Sequence, residues 1–209
     1  MKKTFPATFG LVLALLAGPA AAQVRTEIGV LGTWVHSTTT TVTDATFDIG
    51  VKFQDGAGGG LLVDVRAARL VSVELSGFFT RQSGAITASG STLVAAGRLD
   101  AIPVVLEAKF HPLGDGTFDP YVGGGGTYVF FQNLTDTGLD AAGIGVVNVK
   151  NKAGFVGSAG LRLAFSTHAA FLIDAKYLAI RPESRASSGP PTDLRWNPLL
   201  VSAGFGFRF

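Results

Sequence analysis

Cysteine is absent from this chain, and methionine occurs only once, as Met1. A disulfide framework and a thiolate metal site are therefore both excluded, whatever the redox state of the compartment. Net charge is almost lacking too, with 17 Lys+Arg against 15 Asp+Glu. Lys2 and Lys3 account for that whole excess, so beyond the first few residues acids and bases balance and the electrostatic motive for binding nucleic acid disappears. Also missing is any apolar run long enough for a spanning helix, which needs about 20 residues. The stretch from Phe9 to Ala17 is about half that length.

What the N-terminus does contain is a basic start, that short apolar stretch and the small-residue triplet Ala20, Ala21, Ala22. This order matches a secretory signal peptide, because the peptidase site accepts only small side chains. A first transmembrane helix is the competing reading, and the short apolar stretch disfavours it. Cleavage after Ala22 is expected, which makes residues 1–22 a signal peptide and residues 23–209 one exported domain. That domain poses a question, since the chain is 47% hydrophobic yet offers no spanning helix. A closed β-barrel answers it: in lipid every backbone N–H and C=O must be paired internally, and barrel strands alternate apolar residues with lumen-facing ones.

The alternation is clearest at the C-terminus. There Leu199, Val201, Ala203, Phe205, Phe207 and Phe209 share one face, and Leu200, Ser202, Gly204, Gly206 and Arg208 share the other. Similar segments predict an all-β, eight-stranded antiparallel transmembrane barrel with strands at 24–36, one ending near 66, and at 70–81, 99–110, 120–131, 154–165, 170–181 and 194–209. The second strand has open limits, because Gly56 to Gly60 reads equally as strand, bulge or loop. Short links near 67–69, 111–119 and 166–169 alternate with longer ones near 37–50, 82–98, 132–153 and 182–193. That asymmetry places both termini in the periplasm and the long loops outside. The implied location is the outer membrane, with its lipid as partner and the barrel-assembly machinery engaged during biogenesis. A secreted β-sandwich also alternates, but it would turn its aromatics inward and leave a charged exterior.

Assigning faces strand by strand turns Glu27, Asp64, Arg66, Glu74, Glu107, Lys109, Arg162, Asp174, Lys176 and Arg208 into the periplasmic half of the lumen. Complementary charges in a narrow lumen pair with one another, so a salt-bridged plug is expected there, with barrel stabilisation as its simplest role. The upper half carries Leu31, Val35, Phe78, Ala101, Val105, Leu178, Ile180, Trp196 and Leu200. These residues read either as an apolar pocket open to the outside or as the packed interior of a narrow barrel. Pro103 and Pro198 fall inside predicted strands, where each removes a ladder hydrogen bond. Each therefore marks a bulge or gap in the wall, either a side exit into lipid or tolerated strain.

No catalytic residue, cofactor or metal ligand is assigned. Gly123 to Gly126 lack the following helix that a phosphate-binding glycine motif requires. A lipid-A-modifying enzyme would need a His, a Ser and an acid converging on a lipid-facing patch. His36 and Ser37, being adjacent, point to opposite faces, while His111 and His168 fall in predicted periplasmic turns.

Ile102-Pro103, Asp119-Pro120-Tyr121-Val122-Gly123, then Gly125, Tyr128 and Phe130-Phe131, resemble the central signature of the OmpW family of outer-membrane barrels. The ending, with Leu194, Asn197-Pro198, Ser202-Ala203-Gly204 and Arg208-Phe209, resembles that family's last strand. The resemblance implies an eight-stranded barrel with a narrow hydrophobic channel for passive uptake of small apolar molecules, closed towards the periplasm and releasing them sideways. A structural or surface-interaction barrel is the alternative. The chain departs from the family at Ala108 and Lys109 before Phe110, where aromatics are usual, and in its run of four glycines.

Overall fold

The computed structural model describes residues 25–37, 40–43, 48–88, 91–114, 116–132, 148–180, 183–185, 192–193 and 196–209. The expected signal peptide lies outside the described residues. Eight strands form the barrel: β1 (Arg25–Ser37), β4 (Gly56–Ala68), β5 (Val71–Ala88), β6 (Ser91–Phe110), β7 (Phe118–Phe131), β9 (Lys152–Ala164), β10 (Ala169–Ala179) and β13 (Pro198–Arg208). Short strands β2 (Thr40–Thr43), β3 (Asp48–Phe53), β8 (Asn148–Val149), β11 (Glu183–Arg185) and β12 (Thr192–Asp193) lie in the links. Around the ring the order is β4, β1, β13, β10, β9, β7, β6, β5, every pair antiparallel, and the β4–β5 ladder closes it. Closure removes every edge from the lipid-facing wall, which is what an environment without water demands.

Burial follows the pleat with period two. In β1, Ile28, Val30 and Trp34 are exposed, while Glu27, Leu31, Thr33 and Val35 are buried. The exterior is apolar and the interior holds charges, the reverse of a water-soluble sandwich. Exposed aromatics gather at two levels. Phe110, Phe118, Phe165 and Phe209 lie near the lower rim, where the barrel begins and ends, and Trp34, Tyr128, Phe130 and Phe155 lie near the upper one. The Phe209 N–H donates to the Thr26 carbonyl at 2.9 Å and so fastens the chain end beside the start of β1.

The limits left open for the second strand close: Gly56 to Gly60 are strand, and an added Cβ at Gly60 would lie 2.4 Å from the Phe78 ring. Three expectations change. The link expected at 82–98 is a ladder, with β5 running to Ala88 and β6 starting at Ser91. Its small and polar residues, Ser83-Gly84 and Ser89-Gly90-Ser91-Thr92, break the period of two, so the segment reads as loop. Likewise β2 and β3 occupy much of the link expected at 37–50, pairing with one another and onto β5. At the other end Pro198 opens β13 rather than sitting inside a strand. A first residue is where the missing N–H costs least.

Candidate functional site

Continuing the same alternation down β5, β6 and β10 carries Glu74, Glu107, Lys109, Asp174 and Lys176 onto the lumenal face. Lys176, with no exposed surface, sits among three carboxylates: Glu74 Oε1 at 3.0 Å, Asp174 Oδ2 at 2.9 Å, and Glu107 as a hydrogen-bond acceptor. Lys109 donates to Glu74, lies 3.9 Å from Asp64 and from Glu107, and stands 4.1 Å above the Tyr121 ring. The Tyr121 hydroxyl donates to Asp174 Oδ1 at 2.9 Å. Nearer the lower rim, Arg162 Nε donates to Glu27 Oε2 at 2.6 Å, with Arg208 Nε 3.7 Å from the same oxygen. Arg66 takes a third place, paired with Asp119 and 3.1 Å from His111 Nδ1.

The ten predicted lumenal charges thus share the lower half of the barrel but not one network. The lysine group holds four acids against two bases, and the arginines are partnered below it. Truncating one member of such a buried pair strands the other charge, typically at about 3–5 kcal/mol. Among the described residues no group of His, Asp and Glu is placed to hold a metal ion.

His111 lies in the link after β6, where the sequence placed it, but its side chain is buried. It is 3% exposed and turned into the lumen, one step beyond Glu107 and Lys109 in the same alternation. Its Nε2 lies 2.9 Å from Ser72 Oγ and its Nδ1 3.0 Å from Asp119 Oδ1, the contact order of a Ser-His-Asp triad. The surroundings suit a clasp instead. Ser72 has no exposed surface, its Oγ also donates to Asp64 at 2.8 Å, and Asp119 also holds Arg66. A nucleophile needs room for a substrate carbonyl beside it; here the trio joins β5, the end of β6 and β7, with Asp64 and Arg66 tying in β4. Ser72, Asp119, His111 and Tyr121 were not among the lumenal charges and apolar residues assigned from sequence; extending the period of two by one residue past Phe110 and before Pro120 would have found His111 and Asp119, and Ser72 and Tyr121 lie on the inward parity of strands already predicted. His36 lies outside on the upper wall, 2.7 Å from Asp55, with Ser37 facing inward as its neighbour's parity requires. His168 is exposed in the turn between β9 and β10.

Above the charges, Leu31, Val35, Phe78, Val105, Leu178, Ile180, Trp196 and Leu200 belong to one apolar cluster, each 3% exposed or less. Their side chains fill this level of the lumen. Val129 and Phe131 from β7 complete it, the Phe131 ring standing edge-on to Trp196 at 5.1 Å. A polar roof covers the cluster. Trp196 Nε1–H donates to Gln82 Oε1 at 3.2 Å, and Gln82 Nε2 donates to Ser37 Oγ at 2.8 Å and to the Gln54 carbonyl at 3.3 Å.

Both prolines coincide with interruptions in the wall. The β5–β6 ladder runs up to Gly77 opposite Val104 and resumes at Thr80 opposite Ala101, skipping Phe78, Phe79, Ile102 and Pro103. Between β10 and β13 the ladder ends at Tyr177 opposite Leu199, and above it an isolated bridge joins Ile180 to Trp196 before β11 and β12 pair in the same register at Glu183 and Asp193. In this second seam Asn197 Oδ1 accepts the Ile180 N–H at 3.1 Å, replacing a backbone partner. Register is the same on both sides of each interruption, so these are gaps and not bulges. Phe78 flanks the first gap and Leu178 the second, both from inside.

Comparison with known proteins agrees with this architecture. OprG from Pseudomonas aeruginosa superposes with a TM-score of 0.76 at 18% identity, over 89% of this chain and 96% of that one. AlkL, determined in lipid bilayers, gives 0.64 at 18% identity over 100% and 97%. Outer membrane protein W of E. coli gives 0.54 at 20% identity over 91% and 100%. No curated protein sequence matches the chain. The OmpW family model matches residues 21–209, and with the barrel's closure and strand count beside it, the chain belongs to the OmpW family of outer-membrane β-barrels.

Proposed function

We propose that the barrel admits small apolar molecules from outside into its upper lumen and releases them sideways into the membrane, the charge layer closing the route to the periplasm. One observation carries this reading: a largely apolar cluster, whose interleaved hydroxyls Thr33, Ser202 and Thr80 are bonded within the wall, lies directly above a layer of buried ion pairs, and the wall around that cluster is interrupted at two places. Ions and polar solutes find no stabilising partner among Leu31, Val35, Leu178 and Leu200, and an apolar solute finds none among Lys109, Lys176 and their carboxylates. The favoured way out is therefore lateral, where lipid is as apolar as the cluster itself.

Passage requires the packed cluster to open, and Trp196 is the element to move. It closes the top, it belongs to no strand, and one indole hydrogen bond to Gln82 tethers it. Gln82→Ala is expected to raise the rate at which an apolar fluorescent probe enters proteoliposome membranes severalfold. Replacing Leu178 and Trp196 together with glutamine should abolish probe entry while the barrel still migrates as a folded species on a gel. Unchanged entry in both variants would favour the alternative, a structural or surface-interaction barrel, which the near-complete burial of the cluster supports in its own right.

A further inference from the structure

Where the charge layer meets the apolar cluster, three strands change from polar to apolar between successive inward residues. On β5 the step runs from Ser76 to Phe78, on β6 from Glu107 to Val105, and on β9 from Ser158 to Val156. Ser76, Glu107 and Ser158 are each more than nine-tenths buried, yet Ser76 Oγ, Glu107 Oε2 and Ser158 Oγ have no hydrogen-bond partner among the described residues. Their neighbours are provided for. Glu74 Oε1 and Asp174 Oδ2 face the Lys176 ammonium at 3.0 Å and 2.9 Å. Thr33 is bonded to Ser202, Thr80 to the Ala101 carbonyl and Thr127 to the Val104 carbonyl. Between β6 and β9 runs β7, where Gly125 stands opposite Glu107 and Gly123 opposite Ser158. A Cβ at Gly123 would lie 2.5 Å from Ser158 Oγ, so the serine hydroxyl turns towards this bare stretch of wall. The three polar atoms thus border one arc of the lumen, from β5 to β9.

We infer that this arc seats the polar end of an amphipathic solute, an aliphatic chain carrying a terminal hydroxyl. The inference rests on the uptake reading above and names its substrate class. An ionised carboxylate only accepts hydrogen bonds, so Glu107 Oε2 requires a donor. A solute hydroxyl donates to it and still accepts from Ser76 or Ser158, which meets two unpartnered groups at once. An ammonium group would have to carry its charge past Leu31, Val35 and Leu178, and a carboxylate would meet Glu107 with like charge. The aliphatic chain of a seated alcohol lies against Phe78 and Val105, the next inward residues above. Phe78 borders the gap where the β5–β6 ladder skips Phe78, Phe79, Ile102 and Pro103. A solute held by its hydroxyl at the arc therefore presents its chain to that gap, and the contacts that select it also aim it at lipid.

The experiment compares two fluorescent probes with the same aliphatic chain, one ending in a methyl group and one in a hydroxymethyl group. Entry into proteoliposomes holding the full barrel is measured against protein-free vesicles. The hydroxyl probe is expected to half-saturate entry at a concentration about tenfold lower, the worth of one hydrogen bond to a charged acceptor. Ser76→Ala combined with Ser158→Ala should bring the two probes to the same half-saturating concentration. Neither hydroxyl has a hydrogen bond within the protein to lose, so the double variant should keep the urea midpoint of the unaltered barrel. A lowered midpoint would assign the two serines to the fold and overturn the seat. Equal half-saturation by both probes in the unaltered protein, or a hydroxyl preference that survives the double substitution, also overturns the seat and leaves the uptake reading standing. Entry of neither probe overturns both.

Discussion

Lys176 shows what a single residue contributes. It stands among Glu74, Glu107 and Asp174 with no surface exposed, and nothing but a cation holds three carboxylates there. Lys176→Met is expected to lower the unfolding free energy of the refolded barrel in lipid vesicles by about 3–5 kcal/mol. Adding Glu107→Gln should recover part of the loss, because it removes one of the stranded charges. Gly60 matters for the opposite reason, the absence of a side chain. With a Cβ only 2.4 Å from the Phe78 ring, Gly60→Val must push Phe78 off its seat beside the β5–β6 gap. The expected reading is a lower urea midpoint, by an amount equivalent to about 1–3 kcal/mol of overpacking. At this scale the inward charges were legible from parity alone. Their partners were not: Arg66 with Asp119 and His111, or Tyr121 against Lys109, join residues from different strands, and parity states a face without stating a neighbour across the lumen.

The strands follow from alternation wherever one side meets lipid and the other does not. β13 and β9 were plain for that reason, and the upper parts of β5 and β6 were not, because their Gly, Ser and Thr residues interrupt the period of two. Proline gave a definite signal at this scale, and the structure resolved its meaning. Pro103 and Pro198 produce gaps without a shift of register, one left open at Phe78 and Phe79, the other bridged by the Asn197 side chain. The absence of native cysteine makes the gaps testable, since only an introduced pair is able to cross-link. Gly77→Cys with Val104→Cys would lock the wall beneath the first gap, and Tyr177→Cys with Leu199→Cys beneath the second; both are facing pairs in their ladders. Oxidising the pair beside the true exit should halt entry of an apolar probe, with recovery on reduction. Leu106→Cys with Gly126→Cys, facing across the uninterrupted β6–β7 ladder, should leave entry unchanged.

For the whole molecule the decisive fact is the order of layers along the axis: a polar roof at Gln82 and Trp196, an apolar cluster, a layer of buried charge, and a lower mouth lined by Arg25, Arg162 and Arg208. Such a stack should pass ions poorly. Planar-bilayer recordings are expected to show small conductance, rising when Glu74→Ala, Glu107→Ala and Lys176→Ala are combined, because that removes both signs of charge from the middle of the layer and leaves Lys109 with only Asp64 at 3.9 Å and Asp174 with only the Tyr121 hydroxyl. Sequence determined the membrane barrel, its strand number and which residues look inward, since each of these follows from a period of two against a lipid solvent and is written in every strand separately. Tertiary structure alone decided which charges meet, that the upper lumen is filled by its own side chains, that the prolines open gaps, and that three distant arginines share one mouth. Those outcomes depend on ring closure and register, which bring residues 25, 162 and 208 together only when the last strand pairs with the first.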